Sequence, residues 1–264
     1  MNPHLTIMTK LIAFFWQSGK IPAFLIHLTI SAALVFSLAA MVYLVWYPPP
    51  YFEYDGASNI MRVVIFVDLI LGPLLTMVVF RRGKKELKRD LGIIASIQLV
   101  AFVCGAGLMM QYRPAFVVYA DDTFYAVRWP DVAAHTKDHA RLEQMRTSIG
   151  PTAVVLELPV DSEQRKSLLN ELANGGPVVT LMGDYYQPMT PERWRAIVAK
   201  SVDIDAQARA QPEFAEAVAR FRMRFLDNTG MTIEKLAFYQ AFLRNGLVIF
   251  AMDRESGVLF GWLN

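Results

Sequence analysis

Apolar positions along the chain fall into two regimes. Up to about residue 113 they form three long runs, residues 21–46, 61–80 and 91–110, each reaching the roughly 20 residues an α-helix needs to cross a bilayer. The first ends in Trp46-Tyr47, an interfacial aromatic pair, and in Pro48-Pro49-Pro50, which cannot continue a helix. The second contains Asp68 and then Gly72-Pro73; the third has Gln98 as its most polar member. Before these runs, residues 5–16 are apolar with one lysine and read as an interfacial helix or an unstructured tail.

After Pro114 the pattern shortens. Residues 116–119 and 124–127 are β-rich and flank Ala120-Asp121-Asp122-Thr123, a hairpin signal, and residues 152–158 read as a further strand. Asp161 opens a helix that Asn174-Gly175-Gly176 stops, residues 177–182 suggest one more short strand, and Thr190-Pro191 caps a helix running toward Arg209. Phe214, Val218, Phe221 and Phe225 recur at helical spacing, a stripe that packs on a sheet. At the end, Asn245-Gly246 and the turn at residues 253–257 punctuate three antiparallel strands.

The fold class expected is therefore a membrane protein: three transmembrane α-helices followed by an α+β periplasmic domain with an antiparallel sheet. The organisation is a tail at 1–20, a three-span region at 21–113 and a folded domain at 114–264. The order of the last part is similar to sensor-type PAS or Cache domains at the level of fold alone.

Composition sharpens this division. The 264 residues are 54% apolar, with mean hydropathy +0.30, and the excess lies before Pro114. Up to Arg113 there are 10 Lys/Arg against 5 Asp/Glu, and from Pro114 onward 16 against 19, so the net +2 joins a basic part to a mildly acidic one. The acidic part carries no basic block, so it has no electrostatic footprint for nucleic acid. The single cysteine, Cys104, rules out an internal disulfide and a cysteine-built zinc site.

Charge also orients the spans. The loop at 81–90 carries Arg81, Arg82, Lys84, Lys85, Lys88 and Arg89, whereas residues 47–60 hold no Lys or Arg. By the positive-inside rule the basic loop is cytoplasmic, in reach of anionic lipid headgroups. The N-terminus with Lys10 and Lys20 is then cytoplasmic too, and the domain after Pro114 is periplasmic. The first run is twice the length of a signal-peptide core and lacks a clean cut site, which argues for a retained span.

Chemistry is sparse. His135 and His139 are spaced i, i+4 and would share one face of a helix, with neither a metalloprotease glutamate nor a third ligand marked; a solvated face is the plainer reading. No nucleophile elbow, Walker motif or dinucleotide fingerprint is present, and no cofactor is indicated. Asp68 is the exception, because a carboxylate within a bilayer usually faces a partner or a water-filled cavity. At ~1.5 Å per residue it lies ~18 Å from the cytoplasmic end of its span, against ~9–10 Å for His27 and Gln98 from theirs, so pairing with either requires tilt or the break at Gly72-Pro73. A carboxyl hydrogen-bonded between helices, a contact with a partner helix and a proton path all remain open readings.

The blocks VDLILGPLLTMVVF, GKKELKRDLGIIASIQLVAFVCG and RPAFVVYADDTFYAVR, with ELPVDSEQRKSLLNELANGG and DRESGVLFGWL further on, resemble the TfpX/TfpZ family of type IV pilin accessory proteins. The likeness carries over onto Asp68, Gly72, Pro73, Lys84, Lys85, Asp90 and Gln98, and leaves residues 134–150 and 203–228 unmatched. It implies a non-enzymatic inner-membrane accessory factor for pilin assembly, stability or pilus dynamics. Its partners would be a type IV pilin or the assembly platform, with Asp68, Gly72, Pro73 and Gln98 as helix-packing or partner-contact positions. The rival is a membrane-anchored periplasmic sensor, which would have to signal through a partner because the cytoplasmic parts are too short for an output domain.

Overall fold

The computed structural model describes residues 19–227 and 229–264. The apolar stretch at 5–16 and the tail lysine Lys10 lie outside the described residues. The chain separates into two units: one holds the described residues up to Leu44 together with Ala57–Met110, the other Val45–Gly56 together with Gln111–Asn264.

The three apolar runs are helices long and apolar enough to cross a membrane, Lys20–Trp46, Ala57–Val79 and Leu87–Gln111. The second begins earlier than its apolar run, because Asn59 and Arg62 continue the helical turn and join by a side-chain hydrogen bond of 3.3 Å three residues apart. The basic stretch forms a tight turn into the third helix, where Lys84 pairs with Asp90 and Arg89 with Glu86 at 2.6 Å. Arg81, Arg82, Lys84, Lys85, Lys88 and Arg89 are all exposed.

In the second unit seven strands form one sheet: β1 (Pro114–Ala120), β2 (Thr123–Arg128), β3 (Thr152–Leu156), β4 (Tyr186–Pro188), β5 (Leu236–Leu243), β6 (Gly246–Asp253) and β7 (Leu259–Leu263), in the order β4-β3-β1-β2-β5-β6-β7. The expected antiparallel sheet is mixed. β1 runs parallel to β3 and β2 parallel to β5, while the remaining neighbours are antiparallel. The reason is connection length: tight turns join β1 to β2, β5 to β6 and β6 to β7 as antiparallel neighbours, whereas the long helical stretches after β2 and β4 carry β3 to the far side of β1 and β5 to the far side of β2, where each pairs with a strand other than the one just before it in sequence. Every residue of the central β1 is buried, as a strand covered on both faces must be.

Other expectations shift for local reasons. Residues 177–182 hold a 3₁₀ turn at Val179–Leu181, and the strand comes after it at β4. The helix from Pro191 stops at Val198; a second starts at Ile204, where the Asp203 carboxylate accepts from the Ala206 N–H. The Phe stripe behaves as expected. Phe221 and Val218 on the helix Pro212–Phe221 pack with Leu236, Phe238 and Leu263 of the sheet. A second cluster gathers Phe116, Val118, Val154 and Tyr186.

Val45–Gly56, the segment joining the first two long helices, is built into this unit. Tyr51 packs edge-on against Phe250, and the Val45 carbonyl accepts from the Gly150 N–H at 2.7 Å. At the β5–β6 hairpin both turn amides are taken by the segment: Arg244 N–H donates to Asp55 Oδ1 at 3.2 Å and Asn245 N–H to the Tyr54 carbonyl at 2.8 Å. Asn-Gly announces a turn with left-handed residues, yet neither Arg244 nor Asn245 has positive φ. The outside acceptors Asp55 and Tyr54 hold the turn in another shape. The Asp121-Asp122 hairpin does adopt the left-handed form, with φ 47° and 59°.

Candidate functional site

The second long helix is not a continuous α-helix. It runs as α over Ala57–Ile65, widens to a π-turn over Phe66–Leu71 and resumes as α over Gly72–Val79. Pro73 has no N–H, so a carbonyl one turn earlier loses its donor. The Gly72 N–H reaches back five residues to the Val67 carbonyl, which is the π register. Asp68 sits inside that widened turn.

Gly72 is then needed for a close approach. A Cβ there would stand 1.8 Å from Gln98 Nε2 of the third helix, and a Cβ on Gly105 would stand 2.6 Å from Val64 Cγ2. The two contacts run in opposite directions along the helices, as an antiparallel pair requires, and small residues at such crossings let backbones approach. Gln98 Nε2 thereby reaches both the Val67 carbonyl and Asp68 Oδ1, each at a long 3.4 Å. The sequence allowed Asp68 to pair with Gln98 only through tilt or the break at Gly72-Pro73, and it is at that break, with its π-turn and the missing side chain at Gly72, that the two residues meet.

His27 does not meet Asp68 through a hydrogen bond. Its Nδ1 lies 2.6 Å from the Thr76 hydroxyl, a residue one helical turn beyond Pro73 that sequence reading passed over. The signal was available: Asp68, Gly72 and Thr76 follow at i, i+4, i+8 and share one face.

These groups floor a groove of about 530 Å³. Ile26, Ile30 and Leu34 of the first helix form one wall and Leu91, Leu99 and Phe102 of the third the other, with Asp68, Thr76 and Gln98 between them. Asp68 and Gln98 are 5% and 7% exposed, and Asp68 Oδ2 and Gln98 Oε1 have no hydrogen-bond partner. The floor thus offers two buried acceptors that lack donors.

A second buried carboxylate lies in the other unit. Asp55 is 3% exposed; its Oδ1 holds the Arg244 amide, while Oδ2 is unpartnered. Burial pushes its pKa up to about 6, opposed by the Arg244 amide and by the Arg128 and Arg244 charges, with Asp131 adding to the rise. Nearby, burial and then the Asp55 charge raise the Tyr47 and Tyr51 phenols.

The remaining sequence candidates are not brought together. His135 lies outside the helix His139–Gln144, so the two histidines do not share a helical face, and His139 Nε2 lies 2.9 Å from the Ala133 carbonyl. Thr136 and Asp138 divert the chain: Thr136 bonds back to the Val132 carbonyl and Asp138 caps the new helix. Among the described residues no group of three or more His, Cys, Asp or Glu could hold a metal ion.

Comparison with known proteins places these features. The family described as Fimbrial assembly protein FimB matches residues 15–56, which take in the first long helix and the segment docked on the β5–β6 hairpin. The chain is 32% identical over 109 residues to the fimbrial assembly proteins of serogroup E1 and of serogroup I from Dichelobacter nodosus, covering 40% of this chain. It spans 42% of the length of those two relatives. The same identity over 109 residues extends to the fimbrial assembly protein of serogroups C1 and C2 from that organism, of which 83% is covered. No solved structure matches. With the serogroup C1 and C2 protein so largely spanned at that identity, the chain belongs to the fimbrial assembly protein family.

Proposed function

We propose that the protein is a non-enzymatic inner-membrane factor of type IV fimbrial biogenesis that acts by contact with a pilin or with the assembly platform. The observation that carries this is the 32% identity to a fimbrial assembly protein over 83% of its length. The TfpX/TfpZ likeness of the blocks around Asp68 and Gln98 narrows the reading to pilin accessory proteins. Three helices of membrane-crossing length, with Arg81, Arg82, Lys84, Lys85, Lys88 and Arg89 exposed between the second and third, support a cytoplasmic basic turn against anionic lipid. The unit containing the sheet is then periplasmic, and Asp68, Gly72, Pro73 and Gln98 form the surface through which the membrane part meets its partner.

Deleting the gene from a fimbriated host should abolish surface fimbriae and twitching, and tagged protein should co-purify with pilin. Unchanged fimbriation without association would refute the reading. Reporter fusions after Lys85 and after Asn264 test the topology, with cytoplasmic and periplasmic activity expected respectively.

A further inference from the structure

We propose that the groove between the first and third long helices is a seat for one transmembrane helix of another chain, and that this helix presents a hydrogen-bond donor at the level of Asp68 and Gln98. This rests on the membrane placement given under the proposed function. The walls run from Ala23 to Leu34 on the first helix and from Leu91 to Phe102 on the third. Each wall is eleven residue steps long, or about 16 Å at ~1.5 Å per residue, so the slot follows the helix axes for three turns. A helix fills such a slot along its length.

The floor selects the occupant. Asp68 Oδ2 and Gln98 Oε1 are acceptors without donors in residues more than nine-tenths buried. Within a bilayer no bulk water is at hand to satisfy them, and a lipid acyl chain has nothing to donate. A helix carrying a Ser or Thr hydroxyl, an Asn or Gln amide or a protonated carboxyl supplies the missing hydrogen, and apolar side chains on its flanks cover Ile30 and Leu99, both 58% exposed. A second copy docked groove to groove would set acceptors against acceptors.

The test uses the full chain in membranes of a fimbriated host, with the photoreactive residue benzoylphenylalanine placed at Ile30 or Leu99 in the groove walls, or at Phe36 or Val78, which do not line the groove. The expected result is a protein adduct from the groove positions alone, whose cross-linked peptide maps to a membrane-spanning helix of a different chain with a donor side chain within one turn. Asp68→Leu should lower its yield by about threefold to tenfold, the range of one interhelical hydrogen bond. Because Asp68→Leu could disturb folding, Ala95→Trp provides a second arm: it fills the slot from an exposed wall position, leaves the floor untouched and should also remove the adduct at unchanged protein level.

Lipid adducts only, equal adducts at all four positions, or a peptide from a second copy of this chain would each overturn the proposal. Fimbriation of the deletion strain is scored separately. Lost fimbriae with lipid adducts only sinks the seat and leaves the assembly role; a captured helix with normal fimbriae does the reverse.

Discussion

Asp55→Asn isolates the buried carboxylate that ties the inter-helix segment to the β5–β6 hairpin. The folded-state pKa is about 6 against 3.8 for the free group. An acid with a raised pKa holds its proton more tightly when folded. Its favourable contribution is therefore complete below 3.8 and is lost as pH rises through about 6. At ~1.36 kcal/mol per pKa unit, the two-unit gap amounts to about 3 kcal/mol between pH 3.5 and 8. Asparagine keeps an acceptor for the Arg244 amide and cannot titrate, but it buries an NH₂ in place of the unpartnered Oδ2, an offset of about 1–3 kcal/mol at every pH. The discriminating quantity is therefore the change with pH of the stability difference between variant and wild type.

Tryptophan fluorescence of a Trp16→Phe background reads the relevant unit, because the other four of the five tryptophans, Trp46, Trp129, Trp194 and Trp262, all belong to it. Melts of both proteins in one non-ionic detergent, from pH 4 to 8, should show the variant gaining on wild type as pH rises, with most of the gain between 4.5 and 6.5. For a unit of this size the swing is about 6–12 °C in Tm. Other titrating groups are common to both proteins and cancel. Parallel curves would mean that Asp55 is not desolvated as described, and the account of the hairpin clamp would fail with it.

Two further outcomes follow from close contacts. Gly72→Ala sets a Cβ at 1.8 Å from Gln98 Nε2 and should displace that amide from Asp68 and Val67, destabilising the detergent-solubilised protein by about 1–3 kcal/mol, whereas Gly107→Ala, with nothing within 4 Å, should be neutral in the same melt. Asp121→Gly relieves a left-handed non-glycine residue and should raise Tm by a few degrees. Asp122→Gly should not, because Asp122 accepts from the Tyr119 hydroxyl at 2.8 Å and pairs with Lys200 at 3.0 Å.

Periodicity alone located the three long helices, most of the strands and the phenylalanine stripe, because each of those is set by a local pattern that one face buries. What it missed depended on partners distant in sequence. The Arg244-Asn245 turn takes its shape from Tyr54 and Asp55, nearly two hundred residues earlier, so the Asn-Gly signal predicted the place of the hairpin and not its conformation. The parallel pairings depend on which strand a long crossover reaches, and nothing in a strand's own alternation encodes that. Val45–Gly56 shows the same limit. Its prolines mark the end of the first long apolar helix, while its role as part of the sheet-bearing unit follows only from Tyr51 meeting Phe250 and Asp55 meeting Arg244.

The two buried aspartates separate packing from function. Asp55 has a backbone donor on Oδ1, and two arginine charges oppose the rise in its pKa; burial still outweighs them and Oδ2 has no partner, but what offset there is comes from within its own unit. Asp68 has one side-chain hydrogen bond, from the Gln98 amide at 3.4 Å, and that amide is shared with the Val67 carbonyl. The chain nonetheless carries the devices that bring Gln98 there, a proline that forces the π-turn and a glycine that clears the path, and these leave a second acceptor, Gln98 Oε1, beside the first. A purely structural carboxyl would be better served by a nearer donor or by a leucine, which satisfies a helix interface without desolvating a polar group. On the proposal of a docked helix, these two acceptors at the floor of an open groove, neither with a full complement of donors, are completed from outside the chain.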